Sequence, residues 1–239
     1  MSVRRFWVDP ILWSAEEIKL SPDEAAHALL VLRLKEGQEV QLLDGQGRLA
    51  RAELSRIEGR QVFCQIREEL PWVPPRPRLS ICPGLCKPAV MDWLSQKFTE
   101  LLVDEVRPWR AERSLQSNAR PERWQRLADQ ALKQCGAPRS PKFYEPLPLA
   151  DLLALVPATS IRLWLYEQAS QPTLSQMLAG LDNPDDLWLF LGPEGGFSPQ
   201  EATLLKQNRF IPCALPGAIL RAETANLAAA AIIRLGWPQ

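Results

Sequence analysis

A single histidine, His27, serves a chain of 239 residues. Histidine-based acid–base chemistry therefore has almost nothing to work with. The five cysteines (Cys64, Cys82, Cys86, Cys135, Cys213) are odd in number, widely scattered and without a paired C-x-x-C spacing. That pattern argues against a disulfide framework and against a zinc centre, so reduced thiols and no metal are expected. Long apolar runs are missing as well. The most apolar stretch, Leu227 to Ile233, is bounded by Arg234 and falls far short of the roughly 20 residues that a membrane span needs. Arg4 and Arg5 near the start are followed by Asp9, Pro10, Glu16 and Glu17 rather than by an apolar segment. A secretory leader is not expected, and neither is a membrane partner. The expected location is the cytoplasm.

An excess of one charge is also absent: the net charge is zero, which at first speaks against a polyanionic partner. The distribution says otherwise. Residues 1–75 carry −2, residues 76–143 carry +6 and residues 144–239 carry −4. The basic residues gather in the middle third, where a polyanion would be bound. Apolar residues make up 46% and charged residues 23% of the chain, as in an ordinary globular protein with a core of normal size.

Two zones are expected, separated at Pro71-Trp72-Val73-Pro74-Pro75-Arg76-Pro77, whose prolines are incompatible with helix and with central strand. Before it, Glu39 to Leu43, Arg48 to Ile57 and Gln61 to Arg67 read as short strands around the turn Asp44-Gly45-Gln46-Gly47, a spacing that suggests a small β-barrel. Ser21-Pro22-Asp23-Glu24 opens a helix running to about Val31. After the linker, strand-like runs (79–82, 105–108, 161–166, 187–191, 210–214) alternate with helical stretches (89–103, 121–134, 174–181, 199–208, 223–235). Such alternation predicts an α/β domain with a mostly parallel sheet.

Two segments concentrate the chemistry. Gly192-Pro193-Glu194-Gly195-Gly196-Phe197-Ser198 follows a buried strand and runs straight into a helix. Ser198, Pro199 and Glu201 form a capping box there, so Glu201 reads as a cap, whereas Glu194 has no evident structural duty. Glycines at the carboxyl end of a parallel strand let a ligand approach the backbone. The segment matches neither a dinucleotide nor a triphosphate loop. The second segment, Leu215 to Asn226, also follows a strand and feeds an alanine-rich helix suited to close packing on a neighbouring element, another subunit included. Glu223 suits the positive end of that helix, but Arg221 gains nothing from the dipole and invites a functional reading.

Gly192 to Ser198 and Leu220-Arg221-Ala222-Glu223-Thr224-Ala225 resemble the two signature segments of the bacterial 16S ribosomal RNA uridine-N3 methyltransferase family, of the SPOUT class. His27 to Arg33, Gly37 and the Leu43-Asp44-Gly45 turn are similar to that family's PUA-like N-terminal barrel. Gln96, Lys97, Glu100, Glu112-Arg113-Ser114 and Arg123-Trp124 fit its central part. The chain departs from the pattern at Glu100-Leu101-Leu102, where the family tends to Glu-Leu-Gly, and at Lys133 to Arg139. The resemblance implies a PUA-like β-barrel over residues 1–74 and a SPOUT domain over residues 75–239. That domain has a parallel sheet and a C-terminal trefoil knot. It also implies a homodimer, and a substrate in small-subunit ribosomal RNA or the assembled small subunit.

The implied cofactor is S-adenosylmethionine, held by Glu167, Leu191, Gly192, Pro193, Gly195, Gly196, Leu215, Gly217, Ile219, Leu220, Thr224 and Ala225. Arg221, Glu223 and Glu194 are the expected catalytic group. The arginine would stabilise charge on the uracil oxygens while one glutamate accepts a proton or holds the arginine. RNA contacts are expected from Arg4, Arg5, His27, Arg33, Lys97, Arg113 and Arg123, although His27 by itself reads first as a packed or capping residue, its RNA contact being what the resemblance implies. Two alternatives remain: the same fold acting on a ribose hydroxyl or another base, and a non-catalytic RNA-binding or assembly protein.

Overall fold

The computed structural model describes residues 4–114, 119–169, 172–182 and 184–236. The chain forms two compact units, one of residues 1–74 with 129–140, the other of residues 75–128 with 141–239. In the first, β1 (Arg5–Trp7), β2 (Ile18–Lys19), β3 (Glu39–Leu43), β4 (Leu49–Glu58) and β5 (Gln61–Leu70) form one sheet in the order β1-β3-β4-β5-β2. Strands β3, β4 and β5 pair antiparallel, while β1 joins β3 in parallel. Along the first half of β4 inward and outward residues alternate, which buries Ala50, Ala52 and Leu54 on one face. Phe6, Ile18, Leu42 and Val62 complete that core. Sequence patterning missed β1 and β2 because two or three residues carry no period.

Helix α1 (Pro22–Ala26) starts where the capping pattern places it, with the Ser21 hydroxyl accepting from the Glu24 N–H at 3.3 Å. It continues as a π-helical turn over His27–Val31. The Glu24 side chain is buried and pairs with Lys133 at 2.6 Å.

In the second unit β6 (Arg78–Pro83), β7 (Glu105–Val106), β9 (Lys142–Phe143), β11 (Ile161–Leu165), β12 (Asp186–Leu191) and β13 (Ile211–Cys213) form a six-stranded sheet. The order is β13-β11-β12-β6-β7-β9 and every pairing is parallel. The central β6 and β12 read Arg-Leu-Ser-Ile-Cys-Pro and Asp-Leu-Trp-Leu-Phe-Leu and are buried along nearly their whole length, as central strands of a parallel sheet must be. A two-stranded parallel ladder joins β8 (Trp109–Arg110) to β10 (Leu147–Pro148). The helices are α2 (Pro88–Glu100), α4 (Leu149–Ala154), α5 (Leu174–Ala179), α6 (Pro199–Gln207) and α7 (Ala222–Leu235), together with α3 (Pro121–Cys135), of which residues 121–128 belong to this unit and 129–135 to the first. The expected alternation of strand and helix is present; β8, β9, β10 and α4 were too short to be read from pattern.

The alanine-rich face of α7 is used inside its own unit. Ala229, Ala230 and Ile233 are fully buried, and the helix packs on α2 and α5. At its C-terminal end the buried Arg234 guanidinium donates to Asp104 at 2.5 Å and to the Pro77 carbonyl at 2.6 Å. Asp104 also accepts the Leu79 N–H at 2.8 Å, so one carboxylate ties α7 to the start of β6.

The departure at Glu100-Leu101-Leu102 proves to be a backbone matter. Helix α2 ends in a Schellman motif: the Val103 N–H donates to the Phe98 carbonyl at 2.9 Å and the Leu102 N–H to the Thr99 carbonyl at 3.1 Å. Leu102 occupies the left-handed position of that motif, with φ +53°, where glycine is the usual residue.

Candidate functional site

Four neighbouring strands of the parallel sheet, β13, β11, β12 and β6, end on one side, and the loops that leave their carboxyl ends enclose a cavity of about 570 Å³. This is where open α/β sheets bind ligands, and the volume suits a cofactor-sized molecule. After β6 come Lys87 and Val90, and after β11 Tyr166, Glu167 and Ala169. After β12 come Gly192, Pro193, Glu194, Gly196 and Phe197, and after β13 Ala214, Leu215, the run from Gly217 to Glu223, and Ala225.

The glycine-rich loop is held from several directions. The indole N–H of buried Trp109 donates to the carbonyls of Cys82 and Leu191, both at 3.1 Å, pinning the ends of β6 and β12 together. Phe197 stacks on Trp109 at 5.4 Å and meets Trp164 edge-on at 4.9 Å. Gly84 and Pro193 touch so closely that a Cβ on Gly84 would lie 2.5 Å from the proline ring and its nitrogen. Gly196 has φ +68°, and a Cβ there would stand 2.8 Å from the Glu167 carboxylate. No side chain fits either place without moving a wall of the cavity. Ser198 and Glu201 form the predicted capping box, and Glu201 reaches further, accepting the Glu112 N–H at 2.8 Å.

Of the residues expected at the cofactor, Glu167, Leu191, Gly192, Pro193, Gly196, Leu215, Gly217, Ile219, Leu220 and Ala225 line this cavity, as do Arg221, Glu223 and Glu194. Gly195 and Thr224 do not. Gly195 turns outward, its carbonyl accepting from Arg113 at 3.3 Å, and Thr224 points to solvent from the first turn of α7. Lys87, Val90, Leu165, Tyr166, Ala169, Phe197, Ala214, Ala218 and Ala222 also line it and were missed. Lys87 was findable, because it lies in the short loop between a parallel strand and the helix after it.

Arg221 is the N-cap residue of α7; its carbonyl accepts the Ala225 N–H at 2.9 Å, but its guanidinium makes no hydrogen bond or ion pair with any described residue. A structural salt bridge is therefore not its role among them. Glu194 does have a structural duty, contrary to expectation: its carboxylate accepts the Lys87 N–H at 3.2 Å. Burial, then the Glu194 and Glu223 carboxylates, push the neighbouring Cys86 thiol up.

The residues expected to meet RNA fall into distinct settings. Arg4 is exposed and bonds to Gln38 at 3.4 Å, while Arg5 is half-buried and donates to Gln41 at 3.2 Å. His27 is the C-cap of α1 and meets Phe6 edge-on at 6.0 Å. Arg33 is exposed, with φ +52° and no described partner. In the second unit Lys97 pairs with Glu100 at 2.6 Å, and Arg123 grips both oxygens of Asp92 at 3.0 and 2.9 Å. Those two cations therefore already carry a counter-charge. Among the described residues no cluster of three His, Cys, Asp or Glu is placed to hold a metal, and no helix is long and apolar enough to cross a membrane.

A parallel sheet whose strand ends enclose a cofactor-sized, glycine-walled cavity defines a small-molecule-dependent α/β enzyme class. The RNA methyltransferase domain family matches residues 74–234 and the RNA methyltransferase PUA domain residues 20–67. With well over half of its length inside the first match, the chain belongs to this RNA methyltransferase family, as the two signature segments led us to expect. Its similar curated proteins are named ribosomal RNA small subunit methyltransferase E. That of Bacillus subtilis is 26% identical over 97% of this chain and 96% of its own. That of Synechocystis is 30% identical over 85% and 68%. The crystal structure of the Neisseria gonorrhoeae protein of the same name, bound to S-adenosyl methionine, superposes with a TM-score of 0.84. It is 26% identical, and the match covers 99% of this chain and 98% of that one.

Proposed function

We propose that this protein methylates N3 of a uridine in 16S ribosomal RNA, in the cytoplasm, with S-adenosylmethionine as the methyl donor. The observation that carries the reading is the Arg221 guanidinium, unpartnered among the described residues, on a cavity of about 570 Å³ across four parallel strand ends. The walls fit the cofactor: Leu165, Leu191, Ile219 and Leu220 are apolar, and Gly192 and Gly196 bring bare backbone to the ligand. Bound there, S-adenosylmethionine supplies a methyl group already made electrophilic by its sulfonium.

What remains for the protein is to orient the base and make its nitrogen nucleophilic. Uridine N3 carries an imide proton. A carboxylate of the cavity, Glu194 or Glu223, takes that proton, and the electron pair left on N3 spreads onto O2 and O4. The fixed charge of Arg221 stabilises it there. RNA is held by exposed cations such as Arg33 and Arg4 in the first unit and Arg113 in the second, phosphate contacts that weaken as salt rises. The reading includes a PUA-like barrel over residues 1–74, a SPOUT domain over residues 75–239 with its C-terminal segment knotted, and a homodimer. The contact of Gly84 with Pro193, which brings two strand–helix loops against each other, is compatible with such threading.

The test is transfer of labelled methyl to small-subunit RNA, and to small subunits, from a strain lacking this protein, followed by nucleoside analysis. Label is expected in 3-methyluridine. Label in another nucleoside, or none despite cofactor binding, overturns the assignment.

A further inference from the structure

We propose that the two cavity glutamates divide the work: Glu223 accepts the N3 proton, and Glu194 is a positioning residue that clamps the glycine-rich loop to the start of α2. The proposal rests on the uridine-N3 reading and deepens it.

The N-cap of helix α2 is Lys87, whose side chain can offer no acceptor to the exposed N–H groups of the first turn. Glu194 fills part of that gap from a distant loop, since its Oε1 accepts the Lys87 N–H at 3.2 Å. This is the half of a capping box that a glutamate at N3 ordinarily performs. Glu201 does the same for α6, accepting the Ser198 N–H at 2.7 Å. Glu194 thus ties the loop to the start of α2, while Glu201, within α6, fixes the loop's other end at Ser198. The Glu194 bond also extends an existing seam. Strands β6 and β12 pair up to Pro83 and Leu191, the Gly84 N–H then donates to the Leu191 carbonyl at 2.7 Å, and Lys87 to Glu194 is the next link. Removing it frees one cavity wall from another.

Glu223 is built differently. It stands in the first turn of α7, half-buried, on the cavity, two residues after Arg221. No hydrogen bond or ion pair engages its carboxylate among the described residues. Like Glu194, it lines the cavity. A carboxylate without a donor keeps its lone pairs for a proton, whereas one already accepting an N–H has less to offer. In the step assigned to Glu223 the N3–H bond breaks, the proton goes to a Glu223 oxygen, and the electron pair stays on N3 for the incoming methyl. The proton then passes to solvent.

The experiment compares Glu223→Gln, Glu194→Ala and Glu194→Gln, first confirming that the wild type forms 3-methyluridine. Absence of that product defeats the underlying reading rather than this division. Cofactor Kd is measured by calorimetry and kcat at saturating cofactor. Glu223→Gln is expected to lower kcat by about 100-fold or more, the worth of a positioned general base, with Kd moved less than about threefold. Glu194→Ala is expected to weaken cofactor binding by about tenfold, the worth of one hydrogen bond to a charged acceptor. Glu194→Gln should recover that affinity, because the amide oxygen accepts the same N–H. A Glu194→Gln enzyme that binds cofactor normally but loses about 100-fold in kcat overturns the proposal. So does a Glu223→Gln enzyme that retains wild-type kcat.

Discussion

Leu102 offers a prediction in which the usual ranking of two substitutions is reversed. In the body of a helix alanine is more stable than glycine by roughly 1 kcal/mol. Leu102 instead occupies the left-handed position that closes α2, at φ +53°. An L-residue there carries roughly 1–2 kcal/mol of steric strain that glycine does not. Glycine loses part of this advantage, about 0.4–1 kcal/mol, through its freer unfolded chain. Loss of the half-buried leucine side chain is common to Leu102→Gly and Leu102→Ala and cancels between them. The balance favours Leu102→Gly over Leu102→Ala by about 0.5–1 kcal/mol, or roughly 1–4 °C in melting temperature for a domain of this size. Scanning calorimetry of the two variants side by side decides it. An alanine variant that melts at or above the glycine variant would show that the Schellman geometry at Phe98 to Val103 does not govern this helix end.

Two further outcomes follow from burial. Arg234→Met removes the cation paired with the buried Asp104 and should cost about 3–5 kcal/mol, roughly 6–20 °C in melting temperature; a shift under about 2 °C would mean that the pair is not desolvated as the structure shows. Thiol titration at about pH 8 should find one fast-reacting cysteine, the exposed Cys135. Burial pushes Cys64 up to about 12 and Cys213 to about 11, while Cys82 and Cys86 are raised by the same cause. Their thiolate forms are therefore scarce below those values and appear only as pH rises towards them. A second fast thiol in the folded protein would contradict that ordering.

Local signals make much of this protein legible in its sequence. Ser21-Pro22 and Ser198-Pro199 with Glu201 announce helix starts because capping is a contact between near neighbours. The runs at Leu79 and Leu187 announce buried strands because a parallel sheet covered on both faces tolerates little else. Glycine followed by a capped helix at Gly192 marks the mouth of the cavity for the same local reason. What sequence order alone could not decide depends on partners far apart in the chain. Glu194 has its duty only because β6 and β12 lie side by side, which brings Lys87 to it across 107 positions. Arg123 reads as an available cation in the sequence, but Asp92, 31 positions away, stands against it in the fold. The demand for a left-handed residue at position 102 is invisible in a leucine, since the side chain that betrays such a position is the missing one of glycine. Local chemistry determined where the elements begin and which loops bear the ligand; the sheet order decided which of the charges there remain unpartnered.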